Sequence, residues 1–208
     1  MNLKILIPEI PYIRGRKNSF TPMLVDSVAM ISFYRILEKN GMTYREIGEF
    51  SYEFWENLNK RRVHKLEKTG QNPVDQFFND AYIDFNKNLA KRLQAEKYPD
   101  GSAMEFVEGD GKMFDYGYNF TECGIHKAFK KLGAEKYVPL ICLSDFAQAQ
   151  VFGFGFTRTQ TIGNGAPLCD HRFLEKCTTP RAWSPDNLQE FKMKLKLDED
   201  EGWDGILY

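Results

Sequence analysis

The chain has 208 residues, 42% of them hydrophobic and 27% charged, a globular balance that excludes a disordered or fibrous protein. With 28 Lys and Arg against 29 Asp and Glu, there is no global field to recruit nucleic acid. Aromatic residues reach 14%, Phe alone numbering 17, which suits a bulky core or a pocket for a small molecule.

The opening Met-Asn-Leu-Lys-Ile-Leu-Ile-Pro run is too short for a secretory signal, and no stretch approaches the roughly 18 apolar residues that span a bilayer. A soluble, cytoplasmic protein is expected. The first hundred residues read as helices. Thr21-Pro22 places an N-cap before proline, and Leu24, Val28 and Ile31 carry the helix to a stop at Asn40-Gly41. Thr43 and Glu46 form a capping box, with Met42 and Ile47 as a hydrophobic staple. The second helix is expected to bury Ile47, Phe50, Phe54 and Leu58. Asn72-Pro73 opens a third, carrying Phe78, Tyr82, Phe85, Leu89 and Leu93 until Tyr98-Pro-Asp-Gly101.

The period then changes. Residues 103–108 and 112–120 flank Gly109-Asp110-Gly111 as a β-hairpin, its second arm alternating Phe114, Tyr116, Tyr118 and Phe120 with smaller residues. A helix follows over about 122–132, capped from Asn119-Phe-Thr-Glu122, and another from Pro139 carries 140–152. Residues 156–162 and 168–174 flank Gly163-Asn164-Gly165 as a second hairpin. Ser184-Pro185 caps a last short helix, and Asp198-Glu-Asp-Glu201 reads as a solvated acidic loop. The expected architecture is α+β: N-terminal helices, then a largely antiparallel sheet of two hairpins with two helices inserted between them. A single domain covers 1–208, comprising a helical part (1–101), a hairpin–helix–helix–hairpin part (102–175) and a tail (176–208).

Chemistry-bearing residues concentrate in the second half. Cys123 falls in the first turn of its helix, where backbone N–H groups lower a thiol pKa. His126 follows three residues on, and Cys142 and Asp145 repeat that spacing on the next helix. Cys169, His171 and Phe173 share one face of the last strand, and the facing arm alternates Thr157, Thr159 and Thr161 with Arg158 and Gln160. An arginine inside a central strand needs an anion, and a substrate carboxylate is one candidate. Bland readings stand beside these: a free cysteine is usually a small buried hydrophobe, threonines favour strands, and His126 and His64 sit among lysines on solvated faces. Cys177 lies outside the strand pattern. No CxxC pair, HExxH, GxSxG or nucleotide fingerprint occurs, so no cofactor and no metal is expected. Three thiols with Asp or His could hold zinc, but catalytic zinc sites use more histidine than this chain offers.

The ordered motifs Tyr118-Asn-Phe-Thr-Glu-Cys123, Cys142-Leu-Ser-Asp145, Thr157-Arg-Thr-Gln-Thr161 with Gly163, and Cys169-Asp170 resemble the L-2-amino-thiazoline-4-carboxylic acid hydrolase family. The resemblance runs from Asp115 to Phe173. It implies a hydrolase acting on the C–N bonds of a cyclic amidine, opening a carboxylate-bearing thiazoline ring toward a carbamoyl-cysteine. Which ring bond breaks stays open. On that reading Cys142 or Cys169 is the nucleophile, Asp145 the base or orienting acid, and Cys123 a pocket neighbour. Asn119, Arg158, Thr159 and Thr161 bind the carboxylate or amidine, and His171 is a proton carrier or substrate contact. His171 departs from the family pattern, which has an apolar or aromatic residue after Cys-Asp, and this leaves the substrate open. The implied partner is a small molecule with a carboxylate, not nucleic acid or membrane, in a chain that can self-associate.

Two other readings compete. A cysteine- and aromatic-lined pocket can serve a non-enzymatic sensor, and the last hairpin distantly resembles the 4-vinyl reductase ligand-binding domain. The basic stretch from Lys60 to Lys68 could instead serve an interaction protein.

Overall fold

A computed structural model describes residues 7–96 and 98–190; the first six residues and the acidic run 198–201 lie outside them. Helix α1 spans Thr21–Lys39 and α2 Tyr44–Lys68, joined by a tight turn in which Gly41 takes φ 88°. The Thr43–Glu46 capping box is present in both directions: the Thr43 hydroxyl accepts from the Glu46 amide, and the Glu46 carboxylate accepts from the Thr43 amide. At the start of α1 the expected cap is displaced by one residue. Phe20 occupies the N-cap, and the Thr21 hydroxyl donates to the Gly15 carbonyl instead.

The buried stripe of α2 also differs from expectation. Tyr44, Ile47, Ser51, Tyr52 and Asn59 face inward, while Phe50 and Phe54 are 36% and 40% exposed. Large neighbours decide the rotation: Tyr34 of α1 hydrogen-bonds Ser51 at 2.6 Å, and Gly48 lies flat against Trp183. The third predicted helix divides into α3 (Asp75–Phe78) and α4 (Asp80–Ala95), because Asn79 leaves helical geometry to cap Tyr82.

Strand β1 (Ala103–Glu108) pairs antiparallel with β2 (Tyr116–Glu122). The second arm is shorter than predicted, since residues 111–115 close the turn, with the Asp110 carboxylate accepting from the Lys112 and Met113 amides. Helices α5 (Gly124–Lys131), α6 (Val138–Cys142) and α7 (Ser144–Phe152) follow. Cys123 itself caps α5, accepting the His126 amide, where the sequence pointed to Asn119–Glu122. A break at Leu143 separates α6 from α7 where one helix was expected. Strands β3 (Gly155–Thr157) and β4 (Cys169–Leu174) complete a four-stranded antiparallel sheet of order β1-β2-β4-β3. The α+β architecture, with helices preceding an antiparallel sheet, is therefore as read.

The second hairpin differs in one respect that matters for the site. β3 ends at Thr157, so Arg158, Thr159 and Thr161 are not on a strand, and β3 is an edge rather than a central strand. The carboxylate of Asp170 accepts the Thr159 and Gln160 amides in place of ladder partners, and a 3-10 turn at Ile162–Asn164 follows. On the outer side of β3 the Thr179 hydroxyl accepts from the Phe156 amide and donates to the Phe154 carbonyl. Farther on, Ser184-Pro185 begins a single 3-10 turn, Pro185–Asn187, rather than a capped helix.

In register, Tyr116 faces Phe173, Tyr118 faces His171, and Phe120 faces Cys169. One sheet face is thus aromatic and carries the β4 thiol and imidazole, while Gly117, Asn119, Asp170 and Arg172 take the other. The aromatic face packs on α4, with Leu89 and Leu93 meeting Met104, Tyr116 and Tyr118. A second cluster joins Tyr52 of α2 to Phe146, Phe152, Phe154 and Phe156. A third fills the space between α1, α2, α5 and α6. Gly117 allows β2 and β4 to approach: a Cβ there would meet the His171 carbonyl at 2.4 Å. Replacement of Gly117 with Ala is expected to destabilise the fold by about 1–3 kcal/mol, read as a lowered denaturation midpoint at unchanged m-value.

Candidate functional site

Between the aromatic sheet face and helices α1, α2, α6 and α7 lies a cavity of about 410 Å³. Its wall includes Cys123, Cys142, Asp145, Arg158, Cys169 and His171, with Tyr118, Phe120 and Phe173 from the sheet and Trp55 from α2. Cys123 arrives as the cap of α5, Cys142 at the end of α6, Asp145 in the first turn of α7, and Cys169 at the head of β4.

Two of the thiols meet at one hydroxyl. Thr161, fully buried, bonds the Cys142 sulfur at 3.7 Å and the Cys169 sulfur at 3.2 Å. The sulfurs can be no farther apart than those two distances combined, close enough for one reacting centre. The Cys169 sulfur also accepts the Ile162 amide at 3.3 Å. Gly163 lets the 3-10 turn sit on this cluster, since a Cβ there would be 2.9 Å from the Cys142 sulfur.

Beside the thiols is a buried charged network centred on Arg158. Its side chain is 1% exposed and that of Glu190 is 0% exposed. Nε donates to Glu190 Oε2 at 2.5 Å and Nη2 to Oε1 at 2.8 Å, a two-pronged pair. Nη2 also donates to the Cys142 carbonyl at 2.9 Å, across the α6–α7 break. Nη1 donates to Asp145 Oδ2 at 2.8 Å and meets His171 Nε2 at 3.3 Å. Burial opposes the charge on Arg158, but Glu190 and then Asp145 outweigh it and raise its pKa well above the usual range. Because Arg158 can only donate, His171 must offer an unprotonated Nε2 and carry its hydrogen on Nδ1. Burial, then the neighbouring Arg158 and Arg172 charges, hold the imidazole well below its ordinary pKa, so it is neutral.

Burial dominates every thiol in the cavity. It pushes Cys123 up to about 11, overriding the helix N-terminus from which a lowered value was expected. Cys142 is driven well above the ordinary thiol range by the same cause, with Arg158 opposing. Cys169 is raised too, though the Thr161 hydroxyl and Ile162 amide work against burial. Asp145 is raised by burial while Arg158 pulls it back. Among the described residues, no three His, Cys, Asp or Glu side chains form a metal-binding group.

With this geometry in place, one comparison is decisive. The profile of L-2-amino-thiazoline-4-carboxylic acid hydrolases matches residues 23–173, from α1 to the last residue but one of β4. The chain belongs to the L-2-amino-thiazoline-4-carboxylic acid hydrolase family. No curated protein and no solved structure matches it. No helix among the described residues is long and apolar enough to cross a membrane.

Of the residues that the family resemblance singled out, Cys123, Cys142, Asp145, Arg158, Cys169 and His171 line the cavity, and Thr161 stands directly behind two thiols. Asn119 and Thr159 lie on the opposite sheet face: Asn119 accepts from Arg172 at 2.9 Å, and Thr159 bonds Asp170. His171, the departure from the family pattern, sits where an aromatic ring would, against Phe120 and Phe156 with centroids 5.2 and 5.3 Å away. Cys177 is exposed and His126 pairs with Glu135 at the surface, neither in the cavity wall. The helical half contributes what sequence reading missed. Ser27, Asn59 and Arg62 line the cavity, and the signal was a polar Asn59 on the stripe that continues from Tyr52.

Removing the guanidinium would leave Glu190 as an uncompensated buried charge. Arg158→Ala is expected to lower stability by about 3–5 kcal/mol, measured by denaturant titration. Neutral, buried thiols also set an order of modification. At neutral pH iodoacetamide is expected to label Cys177 first, by intact mass. Labelling of the cavity thiols should accelerate as pH rises, for Cys123 up to about pH 11, because only the thiolate reacts. Fast labelling of a cavity thiol at pH 7 would contradict this.

Proposed function

We propose that this family member hydrolyses a small cyclic amidine bearing a carboxylate, of the 2-amino-thiazoline class, with Cys169 as nucleophile and Asp145 as its base. The observation that supports this most is the meeting of Cys142 and Cys169 at Thr161 beside a carboxylate that Arg158 holds in place. Cys169 is favoured over Cys142 because the Ile162 amide donates to its sulfur at 3.3 Å and works against burial there. Asp145 Oδ2 is held by Arg158, and Oδ1 makes no hydrogen bond among the described residues.

In the proposed sequence, Oδ1 removes the Cys169 proton as the sulfur bonds to the amidine carbon, and the C=N electron pair moves to nitrogen. Collapse breaks one ring bond, and the leaving ring atom takes the proton from Asp145. Water then adds to the same carbon with Asp145 as base, and Cys169 leaves as the thiol. One water is consumed. Loss of the ring C–S bond gives the N-carbamoyl product, and loss of the ring C–N bond gives the S-carbamoyl product. A raised carboxylate pKa brings Asp145 nearer to the working range of a general base.

The raised thiol pKa values favour one rival, a pocket that binds its ligand without reaction. Incubation with L-2-amino-thiazoline-4-carboxylate, followed by mass, separates the two. Turnover is expected in the parent protein, abolition in Cys169→Ser, and a loss of about 10²–10⁴-fold in Asp145→Asn. Undiminished turnover in Cys169→Ser would remove the thiol mechanism, and no turnover with retained binding would leave the ligand-binding reading.

A further inference from the structure

If the ligand is a carboxylate, the reading on which this inference rests, the arginine nearest the thiols is poorly placed to receive it. All five N–H directions of Arg158 are engaged, by Glu190 twice and by Asp145, His171 and the Cys142 carbonyl once each. A guanidinium has five donors and no more. Arg158 is therefore a positioning residue, holding Asp145 and fixing the His171 tautomer.

The α1–α2 wall of the same cavity carries a cation without a partner among the described residues, Arg62, together with one carboxylate, Asp26, which is exposed. Arg62 lines it, is exposed, and makes no hydrogen bond or ion pair within the described residues. One turn earlier on α2, Asn59 is only 3% exposed, yet its Oδ1 has no partner. On α1, Ser27 is 1% exposed and its Oγ is likewise unpartnered. Both line the cavity. Buried polar atoms are almost always satisfied by something, and two of them in the same wall as a free guanidinium describe a subsite for a charged, hydrogen-bonding group.

We infer that Arg62, with Ser27 and Asn59, forms the carboxylate subsite of this cavity, opposite the thiols. Arg62 takes the carboxylate, the Ser27 hydroxyl donates a further hydrogen bond to it, and Asn59 Oδ1 accepts an N–H from the same ligand. In the amidinium form of a 2-amino-thiazoline-4-carboxylate the ring nitrogen carries a hydrogen and adjoins the carboxylate-bearing carbon, so a single ligand supplies both groups to one wall. The amidine carbon lies on the other side of that nitrogen, toward Cys169.

Thiazole-4-carboxylate and thiazole, which offer no amidine to hydrolyse, test the subsite apart from the reaction. Binding is followed through the fluorescence of Trp55, which lines the cavity, and by calorimetry. The parent protein is expected to bind the acid and to bind thiazole far more weakly. Arg62→Ala should weaken the acid by at least about tenfold and leave thiazole unchanged, with Arg62→Lys intermediate. Equal affinity of the acid for parent and Arg62→Ala, or no binding of the acid to the parent at all, overturns the inference. Arg62-dependent binding in a protein that does not turn over the thiazoline acid would sustain the subsite while removing the hydrolase reading.

Discussion

An arginine and a glutamate with almost no access to water organise the second half of this molecule. Taking each charge out of water costs several kcal/mol, and only close two-pronged geometry and a full set of hydrogen bonds offset that. Arg158 and Glu190 meet both conditions. The remaining donors of the guanidinium then reach three places that the chain visits separately: the α6–α7 break, the first turn of α7, and β4. One side chain thereby sets the orientation of a carboxylate, the tautomer of an imidazole and the path of the backbone at Cys142. A hydrophobic replacement of the pair could hold the fold equally well, but it could not aim Asp145.

The cavity beside this network is divided chemically. Toward the sheet and α6–α7 it presents thiols, a neutral imidazole and aromatic rings, uncharged because burial disfavours their ionised forms, together with the Asp145–Arg158 ion pair. Toward α1 and α2 it presents an amide, a hydroxyl, an arginine and the Asp26 carboxylate. A ligand that suits both sides has a compact reacting end that fits among thiols and aromatic rings and a charged, hydrogen-bonding end. The family to which the chain belongs is named for a substrate with that division.

Much of this was legible in the sequence, for reasons that differ by element. The αα turn and the start of α2 were readable because capping is local: Thr43 and Glu46 need only each other. The aromatic face of β2 was readable because alternation survives any packing arrangement. The stripe of α2 was not, because Phe50 and Phe54 are as apolar as Trp55, and only contacts with Tyr34 and Trp183 decide which side turns inward. The thiol cluster was visible as a set of motifs, but its electrostatics were not. A cysteine at a helix N-terminus has a lowered pKa only where water reaches it, and burial at Cys123 reverses the sign. Glu190 was beyond reach, since nothing in its neighbourhood marks it as the partner of an arginine 32 residues earlier.

The shortness of β3 has a consequence for how this protein behaves in company. An exposed sheet edge is a template on which another chain can add a strand, the usual route to unwanted association. Here that edge offers three residues. Its outward Phe156 amide is already taken by the Thr179 hydroxyl, and the amides that would extend it, at Thr159 and Gln160, are bound by Asp170. The device that turns Arg158 inward to the site therefore also leaves this margin of the sheet with little to offer an incoming strand. Protection of this margin against strand addition is written into the backbone hydrogen bonding.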